Sequence, residues 1–275
     1  MPELSKINNQ KIDYREEKIR GIHSNLLNRN VDINILTPVL LDLPTYPLLL
    51  LNDGQDMEGL RIKNTVEDLV YNQQITPIIV AGVVAGDRLQ EYGVASRKDY
   101  LKRGSRAKAY STYISNELLP FLKHQYPIST DPAHRVIAGC SMGGLSALDI
   151  AWNHPNLFEK VGAFSGSFWW RKRNSHSMFY SDHHDRLMHQ EIRHGKKKEN
   201  LKFWLQTGAM DEVGDRNKNG VIDSIDDTLD LIAELTKKGY RPFHDIQYVE
   251  MKEGRHNLET WADAMPVFLK WAFGK

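Results

Sequence analysis

Three observations on the 275-residue chain predict an α/β protein, with a doubly wound, mostly parallel sheet and antiparallel strands at its N-terminal edge. Two runs, Pro47-Leu48-Leu49-Leu50-Leu51-Asn52 and Pro77-Ile78-Ile79-Val80-Ala81-Gly82-Val83-Val84-Ala85, are continuously apolar, as strands covered on both faces must be. Helical segments alternate with strands of this kind along the chain. By contrast, Val31-Asp32-Ile33-Asn34-Ile35-Leu36-Thr37 alternates apolar with polar residues. That period of two belongs to a half-buried strand, so residues 10–37 are expected to form two or three strands.

The remaining elements follow in order. Pro38 ends the N-terminal strands, and Asp53-Gly54-Gln55-Asp56 turns the chain after the first central strand. A helix is expected within 58–73, a long polar loop from Gly86 to about Arg106, and a helix over 107–124. Arg135-Val136-Ile137-Ala138 is a strand, Gly144 to Trp152 a helix and Val161 to Ser165 a strand. Leu201 to Thr207 and Ile246 to Glu250 supply the last two strands. The helix between them covers 224–238, where Gly239 is a natural stop, and a final helix covers 258–273. Residues 171–200 carry clustered His and Lys without a strong period. They read as a solvated insertion in a single domain that could act as a lid.

Composition narrows the function. Hydrophobic residues are 41%, charged residues 26% and the net charge +1, so neither a nucleic-acid nor a membrane partner is indicated. No window approaches the roughly 20 apolar residues of a membrane-spanning helix. The polar start Met1-Pro2-Glu3-Leu4-Ser5-Lys6 lacks an apolar signal core, which predicts a cytoplasmic chain. The single Cys140 can form no internal disulfide.

The chemistry centres on Gly139-Cys140-Ser141-Met142-Gly143, set between a strand and a helix. At such a turn a serine is held in a strained backbone conformation with its hydroxyl above the sheet edge. Cβ atoms at the flanking glycine positions would collide as helix and strand converge. Ser141 is therefore the candidate nucleophile. It needs a base, and the base needs an orienting acid, on loops at the carboxyl ends of later strands. His256 follows the last strand and Asp211 follows the one before. The order Ser141, Asp211, His256 is that of α/β-hydrolases. Glu212 competes with Asp211, which is preferred because it follows the strand end more closely. A helix cap for His256 and a turn for Asp211 are the structural alternatives. Oxyanion donors are expected at the amides of Met142, directly after the nucleophile, and Gln55, with Gly54 allowing the chain to turn. The alternative there is an ordinary Asp-Gly turn. Trp169 and Trp170, at a strand end, line an acyl pocket or belong to the core, and Arg88 is a candidate substrate contact.

These motifs resemble the esterase-D-like branch of the α/β-hydrolases, which includes enterochelin, feruloyl and acetyl-xylan esterases, S-formylglutathione hydrolases and mycolyltransferases. The resemblance rests on Leu49 to Gln55, Glu117-Leu118-Leu119-Pro120, Gly139 to Gly144, Ser165-Gly166-Ser167-Phe168-Trp169-Trp170 and Gly254-Arg255-His256-Asn257. It implies the α/β-hydrolase fold and hydrolysis of a small-molecule or carbohydrate-linked ester through an acyl-enzyme, without an organic cofactor. It leaves the substrate open. Acyl transfer to an alcohol would use the same residues, and a non-catalytic binding module would keep the fold alone.

A second constellation lies in Asp215-Arg216-Asn217-Lys218-Asn219-Gly220-Val221-Ile222-Asp223-Ser224-Ile225-Asp226. Its side-chain oxygens fall at positions one, three and five of a calcium loop, with glycine at six. Asp215, Asn217 and Asn219 would bind the ion with the Val221 carbonyl, Asp223 directly or through water, and Asp226 closing the site. The alternative is a solvated Asn-Gly turn. A structural calcium here, four residues after Asp211, would steady the acid. Asp182-His183-His184-Asp185 matches no known catalytic metal spacing.

Overall fold

A computed structural model describes residues 13–39 and 43–275; the expectation for residues 10–12 lies outside them. Among the described residues, eight strands form one sheet in the order β1-β2-β4-β3-β5-β6-β7-β8. The sequence runs β1 (Tyr14–Ser24), β2 (Arg29–Pro38), β3 (Leu48–Asn52), α1 (Ile62–Tyr71), β4 (Ile79–Val83), α2 (Arg88–Glu91), α3 (Ala107–Tyr113) and α4 (Leu119–Gln125). It continues with β5 (Arg135–Cys140), α5 (Met142–Asn153), β6 (Lys160–Phe164), α6 (Asp182–Asp185), α7 (Leu187–His194), β7 (Lys202–Met210), α8 (Asp223–Lys237), β8 (Ile246–Arg255) and α9 (Leu258–Phe273). The hairpin β1–β2 joins antiparallel to β4, and every pairing from β4 to β8 is parallel. This is the α/β-hydrolase arrangement with antiparallel N-terminal strands.

Two cores follow from the pleat, since alternate residues of a strand face opposite sides. Leu49, Leu51, Val136 and Ala138 face α1 and α9, packing with Val66, Leu69, Phe268 and Leu269. Leu48, Leu50, Ile137 and Leu205 face the other layer, with Tyr110 of α3, Leu145 of α5, Ile192 of α7 and Leu231 of α8. Every residue of α5 from Met142 to Trp152 is buried. The helix behind the nucleophile is thus held on all sides, which fixes the turn it begins.

The helix expected over 107–124 forms, with a π-helical turn inside it: α3 passes through Ile114–Leu118 into α4. Pro120 lacks an N–H and its ring presses on the carbonyl four residues back, which the widened turn relieves. One expectation needs correction: the segment 171–200 is not simply solvated. Leu187, Met188, His189 and Ile192 are buried, and α7 packs on α8. Arg186 anchors it, donating to Asp227 at 2.7 Å and Asp230 at 2.6 Å. Exposed residues lie on both sides of this buried stretch, with Met178 and Phe179 88% and 70% accessible before it. No helix among the described residues is long and apolar enough to cross a membrane.

Candidate active site

The expected elbow forms. Ser141 stands between β5 and α5 at φ 55° and ψ −120°, a region costly for a residue with a Cβ. Its N–H donates to the Phe164 carbonyl at 2.8 Å, so the strained residue is pinned to β6. A Cβ on Gly139 would lie 2.5 Å from the Gly143 carbonyl carbon, and one on Gly143 would lie 2.6 Å from an Asp53 carboxylate oxygen. Both glycines are needed for close approach. Met142 opens α5, where a backbone N–H has no intrahelical acceptor.

Strand register brings the other two candidates together. Met210 pairs with Arg255 across β7 and β8, so the next residues, Asp211 and His256, leave adjacent strand ends side by side. The N–H of Gly208 donates to Asp211 Oδ2 at 3.0 Å. Asp211 Oδ1 is buried without a hydrogen-bond partner, which leaves it available to the imidazole. Burial holds the His256 imidazole below its ordinary pKa; the Asp211 carboxylate pulls it back up and Arg88 pushes it down. Glu212 faces elsewhere. It accepts from the Ser224 backbone in the first turn of α8, and burial with the nearby Asp223 raises its pKa. Of the two acids, Asp211 is therefore the one beside His256. No hydrogen bond joins Ser141, Asp211 and His256 here; the Ser141 Oγ instead lies 3.2 Å from Ser167 Oγ. Such bonds are commonly loose without substrate.

The loop after β3 differs from its expected form. Asp53, not Gly54, takes the left-handed conformation, at φ 59° and ψ 52°. Gly54 serves contact instead, since a Cβ there would sit 2.2 Å from the Gly82 carbonyl oxygen. The Gln55 side chain bridges, donating to Asp53 at 3.1 Å and accepting from the Ala85 N–H at 3.1 Å. Asn52 ties this loop to the elbow helix by donating to the Gly143 carbonyl at 2.8 Å, while accepting from Tyr110 at 2.8 Å. Sequence reasoning missed Asn52 and Asp53, whose partners lie far along the chain.

Arg88 lies at the site, with its guanidinium bound to Asp53 and to the Cys140 carbonyl. Trp169 is half-buried, but Trp170 is fully buried and packs against Gly93 and Gly104. Trp170 is thus a core residue, since an indole at a strand end can face inward as well as outward. Arg103 lies 5.1 Å from each ring. Apolar side chains are exposed on the connections that follow the strands at this end of the sheet: Leu89 in α2 after β4, Met178 and Phe179 after β6, and Val213 after β7. A groove of about 410 Å³, lined by Glu159, Lys202, Tyr240 and Asp245 among others, lies at the opposite ends of the strands, away from Ser141. His244 belongs to that end, bonded to Asp245.

In the calcium-type loop, Asp226 Oδ2 accepts the side-chain N–H groups of Asn217 at 2.8 Å and Asn219 at 2.9 Å, while the Asn217 and Asn219 oxygens accept backbone N–H groups. Asp215 accepts from the amides of Asn219 and Gly220. Asp223 is drawn away, bonded to the Arg216 N–H at 2.9 Å and paired with its guanidinium at 3.0 Å. Val221 donates its N–H to Asn219 Oδ1 at 2.8 Å. Among the described residues, no group of three or more His, Cys, Asp or Glu is placed to hold a metal. Any ion here would depend on the asparagine and carbonyl oxygens.

The family model described as "Putative esterase" matches residues 24–272. The chain belongs to the esterase family of the α/β-hydrolase superfamily. It is 25% identical to the protein YbbA of Bacillus subtilis over 147 residues, 52% of this chain and 58% of that protein. It is 31% identical to the iron(III) salmochelin esterase of Escherichia coli O6:H1 over 139 residues, 49% of this chain and 32% of that protein. The matches thus span 58% of the first relative's length and about a third of the second's. The structure of a ferulic acid esterase superposes with a TM-score of 0.72 at 17% identity, covering 96% of this chain and 98% of that one.

Proposed function

We propose that this chain hydrolyses carboxylic esters through a serine acyl-enzyme. The observation that carries the reading is the strained Ser141 between β5 and α5, with Asp211 and His256 leaving adjacent strands. His256 takes the Ser141 proton as Oγ attacks the acyl carbon, then returns it to the leaving alcohol. Asp211 holds the imidazole tautomer and stabilises the imidazolium. The amides of Met142 and Gln55 receive the oxyanion. Water, deprotonated by His256, then releases the acid. The exposed apolar side chains around this end, with half-buried Trp169, favour an aryl or otherwise bulky apolar acyl group over acetyl. An iron(III) salmochelin esterase and a ferulic acid esterase are among the proteins the chain resembles.

The test is a panel of p-nitrophenyl and hydroxycinnamate esters with wild type and Ser141→Ala. Turnover that falls at least about 10³-fold in Ser141→Ala supports the reading. Equal turnover by both proteins overturns it.

A structural calcium ion at Asp215, Asn217, Asn219, Asp226 and the Val221 carbonyl is part of the same proposal. Support comes from the nearness of both asparagines to Asp226; each would turn its amide oxygen inward on binding the ion. An oxygen-only donor set suits a hard cation. Asp223 then belongs to the Arg216 pair rather than to the direct ligands.

A further inference from the structure

We propose that the turn Ser165-Gly166-Ser167, which leaves β6, sets both working ends of the site: Ser167 holds the Oγ of Ser141, and Ser165 holds the ring of His256 through Trp261. The inference rests on the assignment of Ser141 as nucleophile and His256 as base.

The turn is built for placement. Ser165 has φ 44°, a left-handed conformation for a residue with a Cβ, and its N–H donates to the Gln206 carbonyl of β7 at 2.8 Å. A Cβ on Gly166 would lie 2.5 Å from the ring of buried Phe168, which would have to move to admit one. The N–H of Ser167 donates to the Ser141 carbonyl at 3.0 Å, closing the turn over the elbow. Both serine side chains are shielded, with Ser165 3% and Ser167 2% accessible.

From this frame the two hydroxyls point to different partners. Ser167 Oγ lies 3.2 Å from Ser141 Oγ. Ser165 Oγ accepts from Trp261 Nε1 at 3.0 Å. The Trp261 ring in turn stands edge-on to His256, with centroids 5.1 Å apart and planes at 81°.

The chemistry follows from where charge develops. As the Ser141 proton passes to His256, negative charge builds on Oγ, and it builds there again when Oγ leaves the acyl carbon in deacylation. A hydroxyl donating to that oxygen binds it more strongly as the charge grows. The bond therefore favours the transition state over the ground state. Ser167 keeps its own proton throughout, and the transferred proton moves only between Ser141, His256, the leaving alcohol and water. Ser167 touches the reacting atom and is a catalytic residue. Ser165 and Trp261 act through His256 and are positioning residues.

The two roles have separate signatures. Steady-state kinetics on a p-nitrophenyl ester, pH profiles and fluorophosphonate inactivation rates would be measured for wild type, Ser167→Ala, Ser167→Thr, Ser165→Ala and Trp261→Phe, with thermal unfolding alongside. Ser167→Ala should lower kcat about ten- to hundredfold, the range of a hydrogen bond to a charged group, with KM and the pH midpoint unmoved. Ser167→Thr, which retains a hydroxyl, should recover most of that loss. Ser165→Ala and Trp261→Phe should instead move the acid-side midpoint of kcat/KM upward, as the imidazole loses its fixed neighbour and gains water. Wild-type kcat in Ser167→Ala, a Ser167→Thr variant as impaired as Ser167→Ala, or unmoved midpoints in the other two would overturn the inference. A wild type that fluorophosphonate does not modify at Ser141 would instead overturn the nucleophile assignment on which it stands.

Discussion

Arg88 grips Asp53 at both carboxylate oxygens, Nε donating to Oδ1 at 2.9 Å and Nη2 to Oδ2 at 3.1 Å. The same Nη2 reaches the Cys140 carbonyl at 3.2 Å, so one side chain ties the loop after β3 to the elbow after β5. The Asp53 side chain is 4% exposed and the Arg88 side chain 35%. Removing Arg88 strands a buried carboxylate. Arg88→Met should cost about 2–4 kcal/mol in urea unfolding, somewhat below a fully buried pair because Arg88 keeps some water. Adding Asp53→Asn should restore part of that loss, because the two residues share one interaction.

The activity should follow the protonation of His256. A general base must be neutral, so kcat/KM rises with pH through the imidazole pKa. Burial first, and Arg88 second, hold that pKa below 6.5 against the pull of Asp211. The acid-side midpoint of kcat/KM should therefore lie below 6.5, and Arg88→Met should move it upward by removing a cation. A pH–rate profile of both proteins checks the sign.

Asp149 gives stability its own pH dependence. It is buried in α5, where burial raises its carboxyl from 3.8 to about 7, aided by Glu191 and opposed by the Ala95 N–H and Asn153. The folded state then holds a proton that the unfolded state releases between about pH 4 and pH 7. This contribution is complete at the acid side and is lost as pH rises through that window, at up to about 1.4 kcal/mol per pH unit. Asp149→Asn should flatten the slope and be relatively more stable at pH 8, as urea unfolding at pH 5 and pH 8 would show.

Calcium should bind the 215–226 loop and raise the melting temperature. At ten times its dissociation constant an ion binding only the folded state stabilises by about 1.4 kcal/mol. Titration calorimetry with calcium chloride should show heat in wild type and none in Asp215→Ala. Absence of both heat and a thermal shift at millimolar calcium would remove the ion from the account.

The legible and illegible parts of the sequence divide on physical grounds. The strands were readable because β3, β4 and β5 are apolar on both faces, and the elbow because its pattern is local, with Gly139 required by its contact with Gly143. Asp211 and His256 were readable because they directly follow strand ends. The Asp53–Arg88 pair was not, since its members are 35 residues apart and Asp53-Gly54 also spells an ordinary turn. The buried half of 171–200 was masked by its charges, which pair inward: Arg186 lies among Asp182, Asp227 and Asp230. In Ser165-Gly166-Ser167-Phe168-Trp169-Trp170 the tryptophans drew the eye, while Trp170 joined the core and the two hydroxyls took places at the site.

The most direct test of the account is the intact mass of the protein after exposure to a fluorophosphonate, with Ser141→Ala and His256→Ala as companions. The account predicts one phosphonyl adduct on wild type, mapped to Ser141, none on Ser141→Ala, and labelling of His256→Ala slowed by about 10³-fold or more. A folded wild type without an adduct, or an adduct that persists in Ser141→Ala, would contradict it.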